Sequence, residues 1–207
     1  MSKILVLLVS GLLMTGCTVP KSVYQIDTSH CGVNLHIPDV AWDPKKADLE
    51  AGWCGEACIQ MALAYYGKQV PQDVIHRAGY PSTSDLQDND MDRALRNSGL
   101  LFRRYAENSN DPQSFLTWIQ TQLHSGYPVI CGCKIYPTDH PDWELDHFVL
   151  VTGYHSKGLL LNTQLDCDGQ ILVTYKQLDS LNAGYSFKSP GNRYWGRVIT
   201  GIKDRNH

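Results

Sequence analysis

The stretch WCGEACIQMALAYYG at residues 53–67 decides the fold of this 207-residue chain. Its apolar residues recur at helical spacing, and Gly67 follows them as a residue that commonly ends a helix. Cys54 stands where this helix begins, beside unpaired backbone N–H groups and the positive end of the helix dipole. That position favours a thiolate and makes Cys54 a candidate nucleophile. The alternative is a small buried thiol or one half of a disulfide.

A second stretch, DHFVLVTGY at residues 146–154, supplies a candidate base. His147 opens an apolar strand, and a cysteine on a helix start with a histidine on a strand start is typical of papain-like thiol enzymes. None of the other histidines is followed by such a strand, and His140, in an acidic loop, is the nearest rival.

A third group must orient the imidazole ring, and an Asn or Asp side chain usually does so. A strand predicted at 159–162 would lie next to the His147 strand across a hairpin at 155–158. Asn162 ends that strand, so we expect it to hold the ring. Asp166 and Asp168 are the alternatives, and both could instead be turn residues.

The first residues have the layout of a signal peptide, with Lys3 ahead of an apolar run at 4–13. The following MTGC at 14–17 resembles a bacterial lipobox, which implies that Cys17 is lipidated and becomes the new N-terminus. Thr18 after the cysteine implies the outer membrane, and ordinary secretion is the alternative. We therefore divide the chain into a signal peptide at 1–16, an irregular N-terminal arm at 17–49 and one domain at 50–207.

Helices come first in the domain and strands follow, which predicts an α+β fold with helices packed on an antiparallel sheet. The arm is expected to contain one short strand at 33–37. The predicted helices lie at 54–66, 72–78, 88–98 and 112–124. The predicted strands lie at 101–105, 128–135, 147–154, 159–162, 171–175 and 193–202.

Composition limits the possible partners. The chain has 18 Lys and Arg against 21 Asp and Glu, and no basic run is longer than two residues, which argues against nucleic acid. We expect a peptide or protein substrate, a membrane contact through the lipid anchor, and no cofactor. The acidic loop at 137–146 could bind a hard cation, but we interpret it as a solvated loop that shapes substrate charge preference.

Seven cysteines are present, and an exported protein can form disulfides. Cys131 and Cys133 lie on one face of a predicted strand, and either could meet Cys167. Zinc is a weak alternative, because Cys-Gly-Cys lacks the usual spacing of zinc ligands.

Together, CGxACxxMxLxYYG at 54–67 and DHFVLVTGY at 146–154 resemble the bacteriocin-processing cysteine peptidases and their stand-alone relatives. The resemblance covers about residues 50–200 and implies a papain-like fold with Cys54 as nucleophile, His147 as base and Asn162 as orienting residue. Bacteriocin leader peptidases normally sit on transporters, and no transporter is present here, so leader cleavage is not implied.

The chain departs from that family in three places. Trp53 precedes the cysteine, Asn162 and Thr163 stand where Asp-Pro is usual, and residues 44–53 lack the Gln that normally donates to the oxyanion. The sequence thus predicts a cell-envelope thiol hydrolase acting on a peptide or isopeptide bond. A catalytically degenerate module that binds a peptide or envelope partner and a cell-wall peptidase are the alternatives.

Overall fold

The computed structural model describes residues 31–42, 52–106, 110–164, 169–191 and 193–203. Their helices are α1 (Cys54–Tyr65), α2 (Gln72–Gly79), α3 (Asp88–Asn97), α4 (Pro112–His124) and α5 (Tyr175–Leu178). Their strands are β1 (Cys31–Asn34), β2 (Leu100–Arg104), β3 (Val129–Cys133), β4 (His147–His155), β5 (Gly158–Asn162), β6 (Gln170–Thr174) and β7 (Gly196–Ile202). The signal peptide with Cys17, and also Asp166, Cys167 and Asp168, lie outside the described residues.

The strands form one antiparallel sheet in the order β2-β7-β3-β4-β5-β6, and β1 adds to β4 away from this path. The predicted α+β class with an antiparallel sheet is therefore confirmed. A tight hairpin joins β4 and β5, and their antiparallel pairing, with one bulge between Val151 and Gly153, sets Asn162 at the end of β5 opposite Leu150 of β4.

The predicted helices and strands are present, with ends that differ by up to three residues. α1 begins at Cys54 as expected. α4 begins at Pro112, where the carboxylate of Asp111 accepts a hydrogen bond from the Ser114 N–H at 2.8 Å and caps the helix. The four-residue helix α5 was not predicted, because so short a segment shows no helical period.

Helices cover both faces of the sheet. α4 packs on one face through Phe115 and Ile119, which join Val149 and Val151 of β4. α1 lies on the other face, where Cys58 and Leu63 join one core cluster with neighbouring strands and helices. Nine of the twelve residues of α1 are buried, so this helix is enclosed on nearly all sides and its first turn is held firmly against β4.

A buried ion pair ties α3 to the sheet. Asp92 of α3 accepts a hydrogen bond of 2.6 Å from Nε of Arg197 on β7, and Arg104 of β2 also contacts this carboxylate. The guanidinium of Arg197 lies over the Trp195 ring, with its Cζ 4.2 Å from the ring centroid. The pair fixes the position of α3, whose N-terminal end borders the cavity described below.

The N-terminal arm is not irregular throughout. The strand expected at 33–37 lies at Cys31–Asn34, and it pairs with the end of β4. The chain then follows β4, because the Leu35 N–H donates to the Thr152 carbonyl at 2.8 Å. Gly153 allows this close approach, since a methyl group there would lie 2.5 Å from the carbonyl oxygen of Val33.

We expect Gly153→Ala to lower the free energy of unfolding by about 1–3 kcal/mol, because the new methyl group meets backbone atoms that cannot rotate away. Urea unfolding curves measure the change. Gly184→Ala is the matched control, because its methyl group would lie 3.6 Å from the nearest carbonyl oxygen, an ordinary contact. Equal midpoints for the two variants would contradict the close packing of β1 on β4.

Candidate active site

Cys54 and His147 line the same cavity, which has a volume of about 950 Å³. α1 contributes Cys54, the start of β4 contributes His147 and Phe148, and the remaining walls come from loops. The other lining residues are Asp85, Leu86, Gln87, Asp88, Asn110, Trp143, Glu144, Leu145, Asp146, Gly191, Arg193, Tyr194 and Trp195. The two candidate catalytic residues are thus brought to one site from positions 93 residues apart in the sequence.

The thiol of Cys54 is nearly buried, with 8% of the residue exposed. Its Sγ accepts a hydrogen bond of 3.4 Å from the Phe148 N–H of β4. Burial raises the pKa of Cys54 to about 12, and this effect exceeds the lowering by the N–H groups of Phe148 and Gly55. The helix start therefore does not by itself produce the thiolate that the sequence led us to expect.

One hydrogen bond defines the protonation pattern of the His147 ring. Nε2 lies 3.0 Å from the backbone carbonyl oxygen of Thr163. A carbonyl only accepts hydrogen bonds, so Nε2 carries the hydrogen, and the lone pair of the neutral ring is on Nδ1. His147 is thus held in the tautomer whose basic nitrogen is Nδ1.

Asn162 does not orient this ring, which corrects the sequence-based assignment. Its side-chain amide donates to the carbonyl of Ile37 at 2.9 Å and contacts Sδ of Met61, and its Oδ1 accepts from Gln170 at 2.8 Å. Side chains alternate along a strand, so Asn162 lies on the α1 side of the sheet. Thr163, the residue just after β5, contributes the partner of His147 through its backbone carbonyl, and a carbonyl leaves no signature in a sequence.

A family model described as the Peptidase_C39-like family matches residues 35–164, which is more than half of the chain. The chain belongs to this family. Comparison with curated protein sequences gives no match.

Two solved structures share the fold of this C39-like chain. The peptidase domain of Streptococcus ComA, a bifunctional ABC transporter of a quorum-sensing pathway, is 12% identical with a TM-score of 0.55, and the match covers 82% of this chain and all of that domain. A double-glycine-motif protease from an AMS/PCAT transporter, solved with its leader peptide, is 20% identical with a TM-score of 0.53, covering 82% of this chain and 96% of the other. The described residues therefore have the papain-like fold of C39 peptidase domains.

The amide side chains of Asn34 and Gln60 are not placed to donate to an oxyanion at Cys54. Oδ1 of Asn34 accepts from the backbone of His36, and the Gln60 amide donates to the carbonyl of Val70 at 3.1 Å. Neither residue lines the cavity. The side-chain amides that do line it with Cys54 are those of Gln87 and Asn110.

A buried acid two residues after Cys54 was missed in the sequence. Glu56 is fully buried in the first turn of α1, and its Oε1 lies 2.8 Å from Nδ1 of His76 on α2. Burial raises the pKa of Glu56 to about 7, although the hydrogen bond with His76 opposes the rise. Trp53 stacks on His76 with ring centroids 4.7 Å apart and donates from Nε1 to the Ser84 carbonyl. The sequence signal that could have identified Glu56 is a charged residue inside an otherwise apolar helical run.

The acidic loop forms one wall of the cavity. The carboxylate of Asp146 accepts from the N–H groups of Ile135 and Tyr136 at 2.6 and 3.2 Å, and the buried Lys134 ammonium donates to the carbonyls of His140 and Trp143. These hydrogen bonds fix the conformation of the loop. Among the described residues, no group of three His, Cys, Asp or Glu side chains is placed to hold a metal ion.

Four cysteines of the described chain are free and buried: Cys54, Cys58, Cys131 and Cys133. The two strand cysteines considered as partners of Cys167 are thus core thiols, packed in the cluster beneath α4. Burial raises the pKa of both well above its ordinary value, so they are expected to be unreactive beside an activated thiol.

Glu56 should make stability depend on pH in a definite direction. Its pKa rises from 4.5 in the unfolded chain to about 7 in the fold. Between these values the folded protein binds more protons than the unfolded chain, so its stability falls as pH rises. In Glu56→Gln the group cannot ionise, and the difference in unfolding free energy between wild type and variant should change by about 3 kcal/mol from pH 4.5 to 7.

Urea unfolding of both proteins across this range measures that difference, in which titrating groups without contact to the Glu56–His76 pair cancel. Glutamine keeps an acceptor for His76, so the variant isolates the charge. Curves that stay parallel from pH 4.5 to 7 would show that Glu56 ionises with an ordinary pKa.

Proposed function

We propose that this chain is a cell-envelope thiol hydrolase that cleaves a peptide or isopeptide bond with Cys54 as nucleophile and His147 as general base. The observation that carries the proposal is the shared cavity of the two residues, together with the hydrogen bond that places the basic lone pair of His147 on Nδ1. Membership of the C39-like family supports the same chemistry.

In the proposed reaction, Nδ1 of His147 takes the thiol proton while Sγ of Cys54 attacks the substrate carbonyl carbon. The tetrahedral intermediate collapses, the C–N bond breaks, and the imidazolium gives its proton to the leaving amine. A thioester remains on Cys54. Water then attacks the thioester carbon while Nδ1 accepts a proton from it. The C–S bond breaks and releases the acid, and the imidazolium returns its proton to Sγ, which restores the thiol.

The raised pKa of Cys54 determines when the proton moves. Because burial holds this pKa at about 12, the resting thiol is neutral near pH 7. Attack must therefore be coupled to proton transfer, and the reaction depends strongly on the base. The partial positive charge at the N-terminal end of α1 would stabilise the reaction mainly during attack, when negative charge develops on sulfur and on the substrate oxygen.

The cavity walls suggest the charge of the substrate. Asp85, Asp88 and Glu144 lie on them, opposed by Arg193. A peptide with a basic side chain or an amine near the scissile bond would gain from this field. One of the structural neighbours was solved with a leader peptide bound, which supports a peptide as substrate class for the proposed enzyme.

We expect Cys54→Ala and His147→Ala to abolish hydrolysis while the fold is kept. Labelling with iodoacetamide at pH 7, mapped by mass spectrometry of peptides, tests the pair without knowledge of the substrate. Removal of the base should slow labelling of Cys54 by about 100-fold or more. Cys131 and Cys133 serve as internal controls, because they are buried and do not line the cavity that holds Cys54 and His147.

Two other outcomes would each favour one of the alternative functions. In the first outcome, Cys54 of the wild type labels no faster than the core cysteines, and Cys54→Ala still binds peptides. The chain is then a degenerate binding module, and the raised pKa of the Cys54 thiol would explain its low reactivity. If purified peptidoglycan fragments are cleaved and peptides without cell-wall linkages are not, the chain is a cell-wall peptidase.

We also propose that the domain is held at the outer membrane by a lipid on Cys17. The lipobox-like MTGC at 14–17 supports this. No helix among the described residues is both long and apolar enough to cross a membrane. Expressed from the full chain, Cys17→Ser should lose incorporation of labelled palmitate and move from the membrane to the soluble fraction, whereas Thr18→Ala should not. Unchanged labelling in Cys17→Ser would refute lipidation at this residue.

A further inference from the structure

An imidazole outside the cavity contacts two residues that flank the candidate nucleophile. We propose that His76 of α2 is a positioning residue for Cys54, because it holds the first turn of α1 in the place where the thiol shares its cavity with His147. The inference rests on the proposed function, in which Cys54 attacks the substrate and His147 takes its proton.

His76 binds on both sides of Cys54. Its ring stacks on the Trp53 indole, with centroids 4.7 Å apart and an angle of 13° between the planes. Its Nδ1 lies 2.8 Å from Oε1 of Glu56. Trp53 precedes Cys54 by one residue, Glu56 follows it by two, and both are buried. The ring therefore spans the turn that carries the thiol.

The start of α1 depends on such side-chain contacts. The N-cap residue is Trp53, and its indole has no oxygen that could accept from the first N–H groups of the helix. Its Nε1 instead donates to the carbonyl of Ser84 at 2.7 Å. The indole is thus held by the His76 ring and by the loop that continues into the cavity wall at Asp85.

Glu56 is the second residue that His76 holds in place. Its Oε2 is buried and has no hydrogen-bond partner among the described residues. The bond between Oε1 and His76 is the side-chain contact that offsets the burial of this carboxylate. Removal of one partner from such a pair leaves the other polar group uncompensated, so the group is drawn toward water or becomes neutral. Loss of His76 should therefore loosen the turn on which Cys54 lies.

The position of this turn determines how well the thiol meets its base. The Phe148 N–H, next to His147 on β4, donates to Sγ of Cys54 at 3.4 Å. The thiol is neutral near pH 7, because burial raises its pKa to about 12. Its reactivity thus depends on proton transfer to His147, and small displacements slow such a step by about 10- to 100-fold. His76 does not line the cavity, so its effect would not come from contact with the substrate.

The experiment measures iodoacetamide labelling of Cys54 in the full chain from pH 5 to 9. In the wild type, the rate should rise as the His147 imidazole becomes neutral and then level off. We expect His76→Ala to slow labelling at pH 7 about tenfold and to replace the plateau by a steady rise with pH, as for a thiol without a base. A purely structural role of His76 would lower the free energy of unfolding and leave this pH profile unchanged.

Two further variants separate the contacts of His76. His76→Phe keeps a flat ring against Trp53 but loses the hydrogen bond to Glu56. His76→Asn keeps an N–H donor near the position of Nδ1 but loses the stacked ring. Each should recover part of the labelling rate lost in His76→Ala, and both provide the comparison if His76→Ala does not fold.

Gln72→Ala is the matched control, because Gln72 links the same two helices away from the first turn of α1. Its side-chain amide donates at 2.9 Å to Oε1 of Gln60 in α1 and at 2.9 Å to the carbonyl of Ala41. The variant should lower stability and leave the labelling profile of Cys54 unchanged.

A double variant tests whether His76 acts through the base. On the His147→Ala background, His76→Ala should cause no further slowing if its task is to align Cys54 with His147. Three results would overturn the inference: wild-type profiles in all three His76 variants, equal slowing by Gln72→Ala, or an equal further slowing by His76→Ala on the His147→Ala background.

Failure of the proposed function has a different signature. In each of those three results, His147→Ala by itself still slows labelling of Cys54, so the proposed function stands and the inference alone fails. If His147→Ala labels as fast as the wild type, the proposed function fails, and the positioning role of His76 fails with it.

Discussion

Burial of α1 against β4 is the constraint on which the site depends. A helix with nine of twelve residues inside the protein can be placed in only one way, so the sulfur of Cys54 is held at the first residues of β4, where the Phe148 N–H meets it. The same burial has a cost in reactivity, because it raises the pKa of the thiol to about 12. It also encloses Glu56, whose carboxylate is paired with a partly exposed histidine. The packing that positions Cys54 therefore also keeps its thiol neutral, and the proposed reaction needs a base for that reason.

A backbone carbonyl orients the ring of the candidate base, His147. The ring of His147 binds the carbonyl of Thr163, and the turn after that carbonyl is kept in a left-handed conformation by bonds to Asp39 and to the backbone of Trp42. In a papain-like site with an Asn or Asp partner, one side chain does this work. Here a main-chain carbonyl after β5 makes the contact, and residues of the segment at 35–42 hold the turn that follows it. The family match, which begins at residue 35, includes this segment.

Much of the fold could be predicted because local signals are strong where they coincide with burial. Helical periodicity after Cys54, the Asp-Pro start of α4 and the apolar run after His147 each indicated an element whose beginning agrees with the structure. Helix α5 and the exact strand in the arm were less predictable, since four-residue elements depend on tertiary contacts more than on their own pattern. Cys54 and His147 were identifiable because a reactive residue type stood at the start of an element.

The sequence by itself determined the order of helices and strands and the identity of the two residues that meet in the cavity, because side-chain chemistry and periodicity are written in it directly. Tertiary structure alone decided the partner of His147, which is a main-chain carbonyl and thus the same atom in every residue. It also decided the use of Asn162 as an anchor, since the pleat of β5 points this side chain toward the carbonyl of Ile37. The protonation of Cys54 followed from burial rather than from the helix start, because desolvation by the whole fold outweighs two local N–H groups.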